Sequence, residues 1–299
     1  MTTRPAPSTP APAVAVEPAP TGPGAGPGTA AGTAPGAAGL VPGGPGEAGL
    51  PPVPRPWGPR ATWAMRAMGT GAVVAIALTV WLGLWVTPPS EVMGNLVRLV
   101  YVHPPIAWVA MYLAFGALGL GSVLWLWSRT RSLFWDRLAA AAVEVGVVFT
   151  ACTLISGSIW GRPTWGVWWA WDARLTSTAV LLVLFLGYLA LRRVPSDSDI
   201  RARRAAVAGL VALVDVPIVH FSVLWWRTLH QGATVLNPTL SPQIHGSMAW
   251  TLLLGIVALT VDFLWMLVVR YRIGVLEDRL GADELDRAID ARRAEGGLG

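Results

Sequence analysis

Residues 67–86 read AMGTGAVVAIALTVWLGLWV, twenty positions without one charged side chain. A helix rises 1.5 Å per residue and the hydrocarbon core of a bilayer is about 30 Å thick, so a run of this length can cross it. Five more predominantly apolar runs follow, at 105–127, 138–159, 176–191, 205–224 and 247–269, three of them with a single acidic residue. The fourth is short, at 16 residues, and is expected to recruit the polar turn that precedes it. Apolarity is continuous within each run and does not alternate, which points to helices and away from barrel strands. The expected fold is an all-α integral membrane protein with six transmembrane helices.

The composition agrees. The chain has 299 residues, 54% of them hydrophobic and 13% charged, the latter about half the usual share for soluble domains. So little charge cannot solvate so much apolar surface, which excludes an ordinary soluble enzyme and a disordered binder. The lone cysteine, Cys152, sits in an apolar run and excludes a disulfide scaffold, a Cys-ligated metal cluster and a CxxCH haem attachment. No GxxxxGK[ST] loop is present, so any ATP hydrolysis belongs to a partner.

All 22 basic residues are arginine, and their placement orients the helices. Eighteen fall before the first run, between the second and third, between the fourth and fifth, and after the sixth. Arg98, Arg162, Arg174 and Arg227 alone fall on the other side. The positive-inside rule therefore predicts cytoplasmic termini and three outward loops. The pI near 10.3 becomes a topology signal, and nucleic acid is not an expected partner.

Three segments are expected. Residues 1–60 form a cytoplasmic tail that holds, up to residue 56, 15 of the 25 prolines; it is too poor in apolar side chains to fold and lacks the apolar core of a signal peptide. A flexible tether and a polyproline partner-binding segment are its two readings. Residues 61–272 form the membrane domain, with a distinctive outward loop over 160–176. Residues 273–299 form a short cytoplasmic C-terminal tail, in which 275–295 has the mixed charge of a surface helix.

The outward loops carry the chemistry. Five of the twelve residues from Trp160 to Trp171 are tryptophan. An aromatic belt at the headgroups accounts for Trp81, Trp85, Trp125, Trp127 and Trp250, each near a helix end. It does not account for Trp165, Trp168, Trp169 and Trp171 within seven residues. On a helix, Trp165, Trp168, Trp169 and Asp172 would share one face and make a rigid aromatic shelf edged by a carboxylate. Such a shelf stacks flat hydrophobic ligands.

All four histidines lie outside or at the outer boundary. His103 precedes Pro104-Pro105 at the mouth of the second helix, and His230 follows the fifth. Neutral imidazole is the commonest biological metal ligand, and haem iron takes one or two axial side chains. Without a Cys cluster or a His pair at i, i+4, a zinc or di-iron site has poor support. A planar metal-bearing macrocycle fits better, with its rings on tryptophan, its iron between His103 and His230, and its carboxylates on Arg98, Arg162, Arg174 or Arg227. His220 reads as structural and His245 as interfacial. Glu144, Asp215 and Asp262 lie inside spans, where ionised side chains are costly, and are expected to face the bundle. Helix–helix hydrogen bonding and a proton or ligand route are the two readings of these acids.

The string Trp165-Gly166-Val167-Trp168-Trp169-Ala170-Trp171-Asp172-Ala173-Arg174-Leu175-Thr176 resembles the tryptophan-rich WWD signature of haem-handling membrane proteins in cytochrome c maturation. The likeness continues through Tyr101-Val102-His103-Pro104 and through Trp225-Trp226-Arg227-Thr228-Leu229-His230-Gln231-Gly232. With six helices and two outward histidines, it is similar to the haem exporter protein C branch over residues 65–270. Some relatives have an acidic residue where this chain has Leu224.

The resemblance implies a non-enzymatic role at the bacterial cytoplasmic membrane. His103 and His230 would be axial ligands to a non-covalently held haem b in transit. Trp165, Trp168, Trp169, Trp171 and Asp172 would form the platform, and Arg174 would anchor haem or its acceptor. The implied partners are a periplasmic-type haem chaperone, the subunits of an ABC transporter and a small membrane accessory subunit. A haem transporter and a membrane b-type cytochrome stand as the alternatives.

Overall fold

The computed structural model describes residues 58–127, 132–232 and 244–296. Most of the tail expected over 1–60 lies outside the described residues. Among the described residues, six helices are long and apolar enough to cross a membrane: α1 (Pro59–Val86), α2 (Asn95–Trp127), α3 (Leu133–Trp165), α4 (Ala173–Arg192), α5 (Ser198–Trp225) and α6 (Gly246–Gly296). The short fourth run does recruit its polar turn, because Asp172 caps α4 and accepts from the Leu175 amide at 2.8 Å.

The central helix is α3, which packs on α2, α4 and α6, while α1 lies at the rim against α6. Two cores surround α3. Val109, Ala114, Ala142, Phe149 and Phe263 knit α2 and α6 to it; Leu118, Val143, Leu181, Phe185 and Val216 knit it to α4 and α5. Alanines and glycines in these seams let backbones approach, the usual basis of packing where lipid removes the hydrophobic drive between helices.

Arginines gather at one end of the bundle. Buried Asp136 of α3 takes both guanidinium nitrogens of Arg192 of α4, the Nη2–Oδ2 bond being 2.8 Å. Asp278 pairs with Arg137 and, at 3.8 Å, with Arg201. Asp278 belongs to α6 because that helix runs without a break to Gly296. The C-terminal segment expected as a separate tail is thus a helical continuation of the sixth span. The flanking Leu, Glu, Arg and Ala are good helix formers and outweigh Gly274 and Gly281.

Two spans are interrupted within their length. In α2, a 3₁₀ stretch (Asn95–Tyr101) leads to an α-helical turn (His103–Trp108), then a π-helical segment (Val109–Ala114) and a regular C-terminal half (Phe115–Trp127). In α5, a turn at Val214 separates Ser198–Leu213 from Asp215–Trp225, with Pro217 just beyond it. The acids in the spans are mostly buried. Glu144 pairs with Arg270, and Asp215 and Asp262 are 7% and 9% exposed.

Candidate functional site

A cavity of about 360 Å³ opens at the histidine end, walled by α2, α3, the start of α4, the C-terminal half of α5 and the loop after it, and α6. His103 reaches it from the first turn of the α-helical part of α2, where Pro104 and Pro105 lack only amide protons that have no helical acceptor. Gly157 of α3 makes room for the imidazole, since a Cβ there would lie 3.1 Å from His103 Cε1.

The ring's orientation follows from its neighbour. Ser156 donates its single hydroxyl proton to the Cys152 carbonyl at 2.7 Å, so its lone pairs face His103 Nδ1 at 3.0 Å. The tautomer with its proton on Nδ1 fits that arrangement and leaves the Nε2 lone pair free.

His230 is built by a relay of short-range bonds. Asp172, besides capping α4, accepts from the Thr228 hydroxyl at 2.5 Å. Thr228 in turn accepts from the His230 amide at 3.1 Å. The His230 Nδ1–H donates to the Gln231 carbonyl at 2.8 Å, and a carbonyl can only accept. Here too Nε2 is left as the open nitrogen. Burial, and then the Arg174 guanidinium, hold the His230 pKa below the ordinary histidine value, outweighing the Gln231 carbonyl and Asp172. His230 is thus neutral at pH 7, the form that binds a metal. The two ring centres are 6.5 Å apart and the planes are inclined by 45°.

The tryptophans divide. The expected shared face of Trp165, Trp168, Trp169 and Asp172 does not form, because α3 ends at Trp165 and residues 166–172 are not helical. Gly166, at φ +79°, reverses the chain in the left-handed region and donates its amide to the Arg162 carbonyl at 3.0 Å. Trp165 and Trp169 line the cavity, the former 6.2 Å from the His230 ring. Trp168 and Trp171 do not line it and are 61% and 83% exposed, Trp171 standing edge-on to Trp169. Asp172 is likewise off the cavity wall and holds the loops together.

The arginines divide as well. Arg174 lines the cavity and ties α4 to α5 by donating to the His220 carbonyl at 2.8 Å. Arg98 bonds Asn95, Arg162 bonds the Gly166 carbonyl at 2.6 Å, and Arg227 is exposed. None of these three lines the cavity.

Sequence reasoning did not single out Ser156, Gly157, Trp108 or Tyr112, and read His220 as structural. His220 lines the cavity with its Nδ1 at 2.6 Å from the Tyr112 hydroxyl. A small, polar Ser-Gly step and a tyrosine inside apolar runs are the available signals, but neither names its partner. His245 is exposed and does not line the cavity.

The site's unfilled polar groups have one character. Trp160 Nε1, Trp169 Nε1 and Arg174 Nε are buried without a hydrogen-bond partner, and all three residues line the cavity. Each is a donor only. Among the described residues no group of three or more His, Cys, Asp or Glu converges, so a metal here would have to bring most of its own ligands.

Residues 56–286 match the family model described as "Heme exporter protein C". The chain is 39% identical over 199 residues to the heme exporter protein C of Haemophilus influenzae, covering 67% of this chain and 79% of that protein. It is 34% identical over 192 residues to that of Escherichia coli K12, covering 64% and 76%. To that of Bradyrhizobium diazoefficiens it is 36% identical over 203 residues, covering 67% and 75%.

Proposed function

The chain belongs to the heme exporter protein C family, and from that premise we propose that it holds haem b in transit at the outer face of the bacterial cytoplasmic membrane and yields it to a haem chaperone. The reading makes the chain a binding and presenting component of cytochrome c maturation, working beside ABC transporter subunits and a small accessory subunit, with no turnover chemistry of its own. The arginine-rich end faces the cytoplasm, so both termini lie there and the cavity opens outward.

The observation that carries this reading is the spacing of His103 and His230. His103 and His230 would hold the iron through their imidazole nitrogens, since two rings that share one metal bring their centres to within about 6–7 Å. The two rings stand 6.5 Å apart. Their Nδ1 atoms are both engaged elsewhere, which leaves Nε2 on each as the iron-binding nitrogen. The three unpartnered donors supply the second half of the fit. A ligand that satisfies them must bring acceptors, as the two propionate carboxylates of haem do, and Arg174 can bind one strongly.

Trp165 and Trp169 then wall the ring system, while Trp168 and Trp171 present an exposed aromatic surface for the chaperone. Haem titration of the purified protein, followed by its absorption spectrum, tests the assignment. His103→Ala and His230→Ala are each expected to shift the spectrum and weaken binding at least tenfold. Full haem retention with an unchanged spectrum in the double variant would refute the ligand assignment.

A further inference from the structure

The cavity continues beyond the histidine pair, along α2 to Met111 and Tyr112. These lie eight and nine residues past His103, about 12–13 Å at 1.5 Å per residue, which is well into the depth of a spanning helix. On this side the cavity is bounded by Met111 and Tyr112 of α2 and by His220 of α5. The inner halves of these two helices pack closely, Phe115–Trp127 against Ser198–Leu213. Their outer halves do not. His103–Ala114 packs on α3 and α6, whereas Asp215–Trp225 packs chiefly on α4.

The divergence begins where both helices are interrupted, at the π-helical Val109–Ala114 and at the Val214 turn with Pro217. π-bulges and prolines are the ordinary causes of a sharp change of helix direction. Two spans packed together in one half and against different partners in the other can part between those unpaired halves. One polar contact is recorded between them, the Tyr112 hydroxyl to His220 Nδ1 at 2.6 Å, with the rings edge to face at 6.0 Å. Arg174 fixes the α5 side of this contact through the His220 carbonyl. On the α2 side Tyr112 sits within the π-helical segment itself.

We propose that the outer halves of α2 and α5 part to give a lateral opening to the outer leaflet, latched by Tyr112 and His220, and that it is the route by which a lipid-dissolved porphyrin passes between bilayer and cavity. The proposal rests on the haem-presenting reading above for the nature of the ligand, and on the divergent packing of the two helices for the route. A macrocycle of this kind is flat and largely apolar, so it partitions into lipid and meets the protein from the side. Breaking one hydrogen bond swings the latch open without disturbing the packed inner half.

The test uses the full chain in phosphatidylethanolamine–phosphatidylglycerol vesicles with iron-free protoporphyrin IX dissolved in the bilayer, loading being read by quenching of tryptophan fluorescence. Because this probe has no iron, it reports the route without calling on His103 or His230. The same measurement in the His103→Ala, His230→Ala background separates failure of the route from failure of the ligand assignment. Tyr112→Phe and His220→Phe are expected to load about 2- to 10-fold faster than the parent, the range given by loss of one hydrogen bond.

A second variant closes the opening. Tyr112→Cys with His220→Cys, in a Cys152→Ser background that removes the native thiol, is joined by a short bismaleimide and is expected to load at least tenfold more slowly than before joining. Equal rates before and after joining, or failure of the probe to enter the parent protein, would overturn the proposal. So would a changed haem absorption spectrum in His220→Phe, which would make His220 an iron ligand instead of a latch.

Discussion

Replacing Ser156 by alanine isolates one link in the proposed chain from helix to ligand. Ser156 is buried and its hydroxyl has two roles, donating to the Cys152 carbonyl and accepting from His103 Nδ1. The first is dispensable, because that carbonyl already serves its own helix. The second is not. Without the acceptor, the His103 Nδ1–H is left buried without this bond, which costs about 1–3 kcal/mol. The ring can recover part of that cost by moving its proton to Nε2 or by turning away, and both remove the lone pair from the iron position.

Loss of such an orienting partner weakens metal affinity by about 10–100-fold, or about 1.4–2.8 kcal/mol. The two ranges overlap, as they should if one bond accounts for both. Alanine is a better helix former than serine, so α3 itself should not suffer. The assay is a haem titration of the purified protein, with thermal unfolding of the ligand-free form as a control. Ser156→Ala should lose 10–100-fold in affinity with little change in Tm, and Ser156→Thr, which keeps the hydroxyl, should recover most of it. An unchanged affinity and spectrum in Ser156→Ala would refute the argument that His103 binds iron through an Nε2 freed by this bond.

Other expectations follow from single contacts. Asp172→Ala removes the cap of α4 and the anchor of Thr228; a Tm lower by the equivalent of about 1–2 kcal/mol and a haem affinity lowered through misplaced His230 should both appear, and an unaltered affinity would dissociate the loop from the ligand. Because burial holds the His230 pKa below 6.5, its neutral form persists as pH falls through the usual histidine range; haem affinity should stay level from pH 8 to about 6.5 and then fall by up to tenfold per pH unit once the lowered pKa is passed. A decline starting above pH 7 in spectroscopic titrations would contradict that sign. At the opposite end, Asp136→Ala strands the buried Arg192 charge and should cost about 3–5 kcal/mol in thermal or denaturant unfolding, whereas replacing both partners with apolar residues of similar size should cost much less.

The six spans were legible because membrane crossing is a local property: about 20 consecutive apolar residues suffice, and the arginine bias needs only counting. The interruptions inside α2 and α5 were less so. Pro217 is visible in the chain, but the π-helical Val109–Ala114 has no breaker residue of its own and arises where α2 accommodates its neighbours. The helix expected over 275–295 is present, but its joining to the sixth span without a break was not legible, since charge runs mark a surface without saying whether a helix stops.

The site shows the same division. The order of residues along the chain sets its histidines and a block of tryptophans toward the arginine-poor ends of the spans, and the motif resemblance singles out His103, His230 and the Trp165–Asp172 string. Only the tertiary structure decided that Trp165 and Trp169 line the cavity while Trp168 and Trp171 do not, because the helix ends at Gly166 and the irregular 166–172 does not hold its tryptophans on one helical face. It also decided which of four arginines reaches the cavity, and joined Ser156 to His103, Asp172 to Thr228 and Tyr112 to His220. Those pairs come from helices distant in sequence, and side-chain periodicity fixes the face a residue takes on its own helix. What stands opposite that face depends on how the helices cross, and crossing is set by packing over the whole bundle.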